Sequence, residues 1–355
     1  MGLRYHLTRT AKAFVATALY RTRLLTLARQ RRTRGAATVL LYHRIVDRHP
    51  SLVDYSPSGM TLAVDAFETQ MRYLQSSYDV VPLETVRAIF DAEGPMPDGL
   101  CAITFDDGWR DNYTHAFPIL RAYRLPATIF LTPNFLDNRE WFWEERLKYL
   151  IGHFYQRQLD GGVSDDDLAC IRRVLDRLAA PGLLEETLPR LRRRLTALVN
   201  VWRTKSTADR EDAMGQLERL LQRPALAEPR RFMTWDEVRE MAQAGIAFGA
   251  HTESHVNLAR CGAETASLEI TRSRSTIERH LGRPVTAFAY PYGKNTPGVR
   301  ALVSAAGFTA AFTTASGLIA KHDDRRALNR IDINTNVAGS LPYFACRALH
   351  LLGMY

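Results

Sequence analysis

The strongest constraint on this chain is the rhythm of its apolar residues. Short apolar and β-branched runs alternate with amphipathic stretches of about ten residues or more. Residues 38–42, Val80 with Val81, 101–105, 127–131, 246–250, 285–290, 308–312 and 328–333 read as strands. Residues 65–76, 83–90, 112–123, 235–244, 264–281, 297–306 and 341–352 read as helices, and Pro118 is expected to kink the third. Strands alternating with helices in this way build βαβ units and a parallel sheet, an α/β fold.

The rhythm stops between 138 and 231. That stretch opens with Trp141 and Trp143 and continues with Leu- and Arg-rich segments at 168–178, 188–198 and 209–221. Gly161-Gly162, Pro181-Gly182 and Pro224 separate them, so the stretch reads as a helical insertion or lid. No internal repeat of fixed period interrupts the rest.

Charge divides the chain differently. Up to Gly35 there are nine Arg or Lys residues and no Asp or Glu, and the net charge of the whole chain is +9. The basic excess therefore belongs to this arm, which argues against a nucleic-acid-binding face on the folded domain. Within the arm Leu7, Ala11, Phe14, Val15 and Ala18 recur at helical spacing among the basic residues. A basic amphipathic helix of this kind suits peripheral contact of residues 1–34 with an anionic membrane surface; the alternative is a solvated leader. No apolar run reaches the roughly 18–20 residues of a membrane span. The apolar core at 13–19 is short for a secretory signal. The expected location is cytoplasmic, peripheral at the inner membrane face. The four cysteines form no Cys-x-x-Cys pair and imply neither a disulfide framework nor a cysteine zinc site.

Three stretches carry chemistry. The strand at 101–105 runs into Asp106, Asp107 and Gly108; alone, Asp-Asp-Gly reads as a turn. His251 follows the strand at 246–250, and His255 lies one helical turn on. The third, FAYPYG at 288–293, is a strand breaking into an aromatic, proline-held turn. Each stretch sits at the carboxyl end of an expected parallel strand, where a barrel would gather them on one rim. Two imidazoles and one carboxylate suit one divalent ion, zinc first and cobalt, nickel or iron next. Such an ion lowers the pKa of bound water from 15.7 towards roughly 7. A second carboxylate beside it can take the proton, an effect worth about 10²–10⁴-fold.

These residues are similar to those of the polysaccharide deacetylases with the NodB homology domain, carbohydrate esterase family 4. The resemblance rests on TFDDG at 104–108, HTESH at 251–255 and FAYPYG at 288–293, with LLYHRI at 40–45, YTHAFPIL at 113–120 and LPATIFLT at 125–132 in the same order. It implies a distorted (β/α) barrel that hydrolyses N-acetyl groups on a sugar of a polysaccharide or a lipid-linked glycan by attack of metal-bound water. The layout is then an arm at 1–36, barrel segments at 37–137 and 232–338 around the insertion at 138–231, and a terminal helix at 339–355. By position, Asp106 is the implied general base; Asp107, His251 and His255 are the metal ligands. The backbone N–H of Tyr292 helps hold the oxyanion.

Two departures stand out. Many members have an Arg at the place of Ala289, and many have a late Leu-x-x-His whose His protonates the leaving amine; here neither is found. His322 and His350 fall in unsuitable contexts. His43, after the first strand, is the proposed acid or substrate contact, against the plainer reading of a strand-end histidine bonded to backbone. Arg330 is the proposed replacement for the missing Arg and a substrate-side residue. Trp109, Tyr290 and Tyr292 are expected to stack on sugar rings, with core packing as the alternative, and Pro291 is expected to contact the substrate beside them. Competing functions are hydrolysis of a non-sugar amide by the same fold, and a decayed carbohydrate-binding protein.

Overall fold

The computed structural model describes residues 2–22, 24–47, 59–137, 141–177, 180, 182–184, 186–203, 205, 207–220 and 231–351. It divides into two compact units, one built from the residues described in 2–47, 59–137 and 231–351, the other from those in 141–220.

The first unit begins with α1 (Gly2–Arg21) and α2 (Leu24–Arg32), then β1 (Ala36–Tyr42), β2 (Arg44–Val46), β3 (Thr61–Ala63), α3 (Val64–Ser77), β4 (Asp79–Val80), α4 (Leu83–Ile89) and β5 (Leu100–Phe105). After β5 come α5 (Phe117–Ala122) and β6 (Thr128–Leu131). Beyond the second unit, which holds α6 to α9, the chain continues with α10 (Trp235–Gln243), β7 (Ala247–Ala250), α11 (Ala263–Leu281), β8 (Ala287–Ala289) and α12 (Pro297–Ala305). It closes with β9 (Ala310–Phe312), β10 (Ile319–Ala320), β11 (Ile331–Asp332), α13 (Thr335–Ala338) and α14 (Leu341–Arg347).

The main sheet runs β10-β1-β5-β6-β7-β8-β9, with β11 also on β1 and β4 on β5. Every pairing in it is parallel except β10 on β1. All residues of β5 and β6 are buried, as parallel strands covered on both faces require. The sheet curls. Leu328 bridges to Phe312 at the end of β9, and three residues on, β11 pairs with β1. The segment 328–332 thus reaches from the last large strand to the first, in the manner of a distorted (β/α) barrel.

Local chemistry explains the element ends. Thr234 and Glu237 form a reciprocal capping box at the start of α10. The helix expected at 112–123 is not uniform: residues Asn112–Ala116 make a π-helical turn, in which Phe117 N–H donates to Asn112 O, before α5 begins. Pro118 has no N–H to give, and the wide turn places it at the start of α5, where none is needed. Strands expected at 285–290 and 308–312 are shorter as paired: only Ala287–Ala289 and Ala310–Phe312 lie in register.

The arm expected at 1–36 is part of this unit. α1 packs along α14, Ala16 and Leu25 are buried, and Tyr20 meets Tyr73 with ring centroids 6.2 Å apart. The period read at 3–34 resolves into two helices. Of the terminal helix expected at 341–352, α14 covers 341–347, and residues beyond 351 lie outside the described part.

Packing leaves little slack where strands meet. A Cβ on Gly249 in β7 would lie 2.5 Å from the Phe130 ring and 2.9 Å from Ala287 O. Gly249→Ala is therefore expected to cost at least about 1–3 kcal/mol in urea unfolding, the range for an overpacked core; an unchanged midpoint would contradict this packing.

The second unit is helical: α6 (Trp143–Leu159), α7 (Asp165–Arg177), α8 (Leu188–Trp202) and α9 (Thr207–Leu220). Leu147, Ile151, Leu191, Leu195, Met214 and Leu217 form the heart of its core. Asp165, Asp166 and Asp167 fill the first turn of α7, where the helix dipole favours negative charge. The sequence reading placed no helix at α6.

Candidate active site

Five strand ends supply the site. His43 follows β1, Asp106 and Asp107 follow β5, His251 follows β7, Tyr290 follows β8, and Asp332 ends β11. All these strands run parallel, so their carboxyl ends share one rim.

Asp106 is buried, and Arg330 grips it twice: Nη1 donates to Oδ1 and Nη2 to Oδ2, each at 2.7 Å. Arg330 is itself 0% exposed. Its Nε donates to Thr313 O at 3.0 Å, Nη1 also reaches Thr104 Oγ1 at 3.3 Å, and the guanidinium lies 5.4 Å from the Phe130 ring centre. Burial alone would raise the Asp106 carboxyl; Arg330, followed by His251 and His43, outweighs it and holds the group at about 2. The side chain is thus a fixed, ionised acceptor. Ala289, where an Arg was sought, is buried, and its carbonyl instead accepts from His251 Nδ1 at 2.7 Å.

That last bond sets the tautomer of His251. A carbonyl only accepts, so Nδ1 carries the proton and Nε2 presents its lone pair. Nε2 of His251 and Nε2 of His255 each lie 3.5 Å from Asp107 Oδ1. The three ligand atoms fall within 4.8 Å of one another. The other Asp107 oxygen, Oδ2, accepts from Trp109 Nε1–H at 2.8 Å. So one oxygen of the carboxylate is fixed by the indole while the other faces both imidazoles. Burial pushes the Asp107 carboxyl up, against the opposing pull of His43 and His251. A buried carboxylate facing two imidazole nitrogens is a donor set that a divalent cation fits, and the indole and carbonyl bonds are the outer contacts that orient such ligands.

The backbone is strained at the same places. Asp107, Thr252, His255 and Tyr292 all have positive φ, of 79°, 63°, 57° and 58°. Among the described residues seven non-glycines do so, and four of them fall in the three motifs. Each costs on the order of 1–3 kcal/mol, a cost that clusters where function holds it. The Tyr292 ring packs beside His255, with centroids 4.9 Å apart.

Other expected contacts are corrected. Trp109, Tyr290, Pro291 and Arg330 are all buried, so none offers a face to a sugar. Trp109 stacks on Phe232 with centroids 4.6 Å apart, beneath the Arg44 guanidinium. Tyr290 donates its hydroxyl to Arg326 O at 2.8 Å and packs edge-on to Phe288. Arg330 touches the carboxylate rather than a substrate.

Sequence reasoning missed Asp332. It is half-buried, and its Oδ2 accepts from Asn334 Nδ2 at 2.6 Å, while its Oδ1 and His43 Nδ1 are buried atoms without a hydrogen-bond partner. Burial raises the Asp332 carboxyl, against the opposing pull of His43 and then Arg347. The signal was present: Asp332 is the one carboxylate in the strand expected at 328–333.

The family model for polysaccharide deacetylase matches residues 93–159 and 195–311, just over half of the chain. The Bacillus subtilis (strain 168) protein YxkH is 29% identical over 118 residues, 32% of this chain and 38% of that one. The poly-beta-1,6-N-acetyl-D-glucosamine N-deacetylase of Staphylococcus epidermidis (strain RP62A) is 30% identical over 113 residues, 30% of this chain and 39% of that one. The enzyme of the same name from Escherichia coli (strain K12) is 33% identical over 69 residues, 19% of this chain and 10% of that one. The chain therefore aligns with well under half the length of these relatives. Two solved structures share its fold. Streptococcus pyogenes deacetylase PplD, in complex with acetate, superposes with a TM-score of 0.56 at 17% identity, over 86% of this chain and 96% of that one. IcaB from Ammonifex degensii gives 0.55 at 18%, over 88% and 97%. The family match runs through Asp106, Asp107, His251, His255 and Tyr292, and on that extent the chain belongs to the polysaccharide deacetylase family.

Proposed function

We propose that this protein removes N-acetyl groups from a sugar polymer or lipid-linked glycan, with β-1,6-linked N-acetylglucosamine the first substrate to try. The observation that carries the reading is the ionised Asp106, clamped by Arg330, beside the Asp107, His251 and His255 donor set. The substrate class is supported by the names of two of the relatives. A divalent cation at Asp107, His251 and His255, zinc first, would polarise the acetamide carbonyl and acidify water.

The residues of the chain divide the remaining work. Asp106 takes a proton from the attacking water as its oxygen bonds to the amide carbon. The Tyr292 backbone N–H meets the developing oxyanion, a contact worth about 3–4 kcal/mol in comparable sites. His43 delivers a proton to the amine nitrogen as the C–N bond breaks, releasing acetate and a free amine. This fills the place left by the missing Leu-x-x-His.

The test is acetate release from β-1,6- and β-1,4-linked N-acetylglucosamine oligomers and from simple acetamides. Wild type is expected to release acetate from a glycan and Asp106→Asn to release none. His43→Ala should lower kcat about 10²–10⁴-fold. Wild-type turnover by His43→Ala across pH would end its role as acid. Acetate from acetamides alone would move the substrate to a non-sugar amide, and no turnover on any substrate would leave a binding protein.

A further inference from the structure

Of the stripe read at helical spacing in the arm, the part at 11–18 faces water, while the Leu7 side chain lies outside the described part. In α1, Ala11, Phe14, Val15 and Ala18 stand at i, i+3, i+4 and i+7, and all four are exposed, Phe14 at 76%. The opposite side, with Ala16 buried and Ala13, Thr17 and Tyr20 half-buried, is the one packed towards α14. A surface helix normally turns its apolar stripe to the core, and here the relation is inverted. In α2, Leu24 and Leu27 are also exposed, at 56% and 51%. Among the described residues, seven large apolar side chains are exposed in this way, and four belong to α1 and α2. Scattered apolar side chains on a surface need no explanation, but a concentration of them does.

Charge identifies the occupant. The same segment carries nine basic residues and no acidic one through Gly35, and Arg21, Arg31, Arg32 and Arg34 are exposed. A second copy would bring two such cationic segments face to face, and that repulsion disfavours a dimer. An anionic bilayer surface meets both features, taking the apolar stripe at the acyl boundary and pairing the guanidinium groups with headgroup charge. No helix among the described residues is long and apolar enough to cross a membrane. We infer that α1 and α2 dock this protein flat on an anionic lipid surface.

The experiment is co-sedimentation of the full chain with vesicles of phosphatidylcholine alone and of phosphatidylcholine mixed with phosphatidylglycerol. Binding should be at least about tenfold tighter on the anionic vesicles and weaken as salt shortens the Debye length to about 3 Å at 1 M. Arg31→Gln and Arg34→Gln should each weaken it about fivefold. Combined Phe14→Ser, Leu24→Ser and Leu27→Ser should weaken it at least about tenfold with the thermal midpoint kept, since these side chains already face water. Equal affinity for both vesicles, or none for either, would overturn the inference. So would a dimer in analytical ultracentrifugation that the serine variant dissociates while vesicle binding is unchanged.

Discussion

Arg330→Met is expected to lower acetate release about 10²–10⁴-fold, the range for losing an aligned general base. It should also cost about 3–5 kcal/mol of stability, because a buried carboxylate is left without its partner. Adding Asp106→Asn to Arg330→Met should recover most of that stability and none of the activity, since the buried charge goes with its partner. Urea unfolding of the two single variants and the double variant closes the cycle. Losses that simply add would show that the two side chains act independently, contrary to their paired 2.7 Å bonds. The pH dependence has a definite sign. Asp106 is held at about 2 in the folded chain, below its ordinary 3.8. A lowered carboxyl contributes stability that is complete above the unfolded value and lost as pH falls through the folded one. Wild type should therefore shed this contribution between about pH 4 and pH 2. In Arg330→Met burial is opposed only by the weaker pulls of His251 and His43, so the acid limb of the rate profile should move to higher pH.

Asp107→Asn is expected to abolish stoichiometric zinc binding and to lower acetate release on the order of 10³-fold or more, as chelation of wild type should. Its effect on stability should be opposite in sign to that of Arg330→Met. Burial already pushes the Asp107 carboxyl up, so the chelated protein carries a carboxylate that folding disfavours. Asparagine keeps an acceptor for Trp109 Nε1–H and removes the charge. Chelated wild type should unfold at a lower temperature than chelated Asp107→Asn. Zinc at 100 times its Kd should restore about 2.7 kcal/mol to wild type and nothing to the variant. Equal response of both proteins to zinc would place the metal elsewhere.

The sequence exposed the site unevenly, for physical reasons. Asp106, Asp107, His251 and His255 were legible because each follows an apolar run, and strand ends of a parallel sheet converge. Arg330 was legible as a charge at the rim of the last strand, but a cation there reads alike whether it meets a substrate or a carboxylate. Its bond to Asp106 joins residues 224 positions apart, and no local period encodes that. Trp109 and Tyr290 were misplaced for a similar reason: an aromatic beside a catalytic motif has one appearance as a sugar platform and as packing. Asp332 was overlooked because a single carboxylate in a two-residue strand has no partner at fixed spacing. In the arm the period of Ala11, Phe14, Val15 and Ala18 was readable, whereas the side it turns to solvent depends on α14, more than three hundred residues later.

The segment 328–332 has a consequence in time. It lies between β9 and β1 and carries the guanidinium that fixes Asp106. On the ribosome Asp106 emerges long before Arg330, at roughly 5–20 residues per second. A nascent chain can already hold the carboxylate and both imidazoles and still lack the cation that aligns its base. The alignment of Asp106 therefore arrives with one of the final strands to be synthesised, and an unfinished polypeptide lacks the same clamp that Arg330→Met removes.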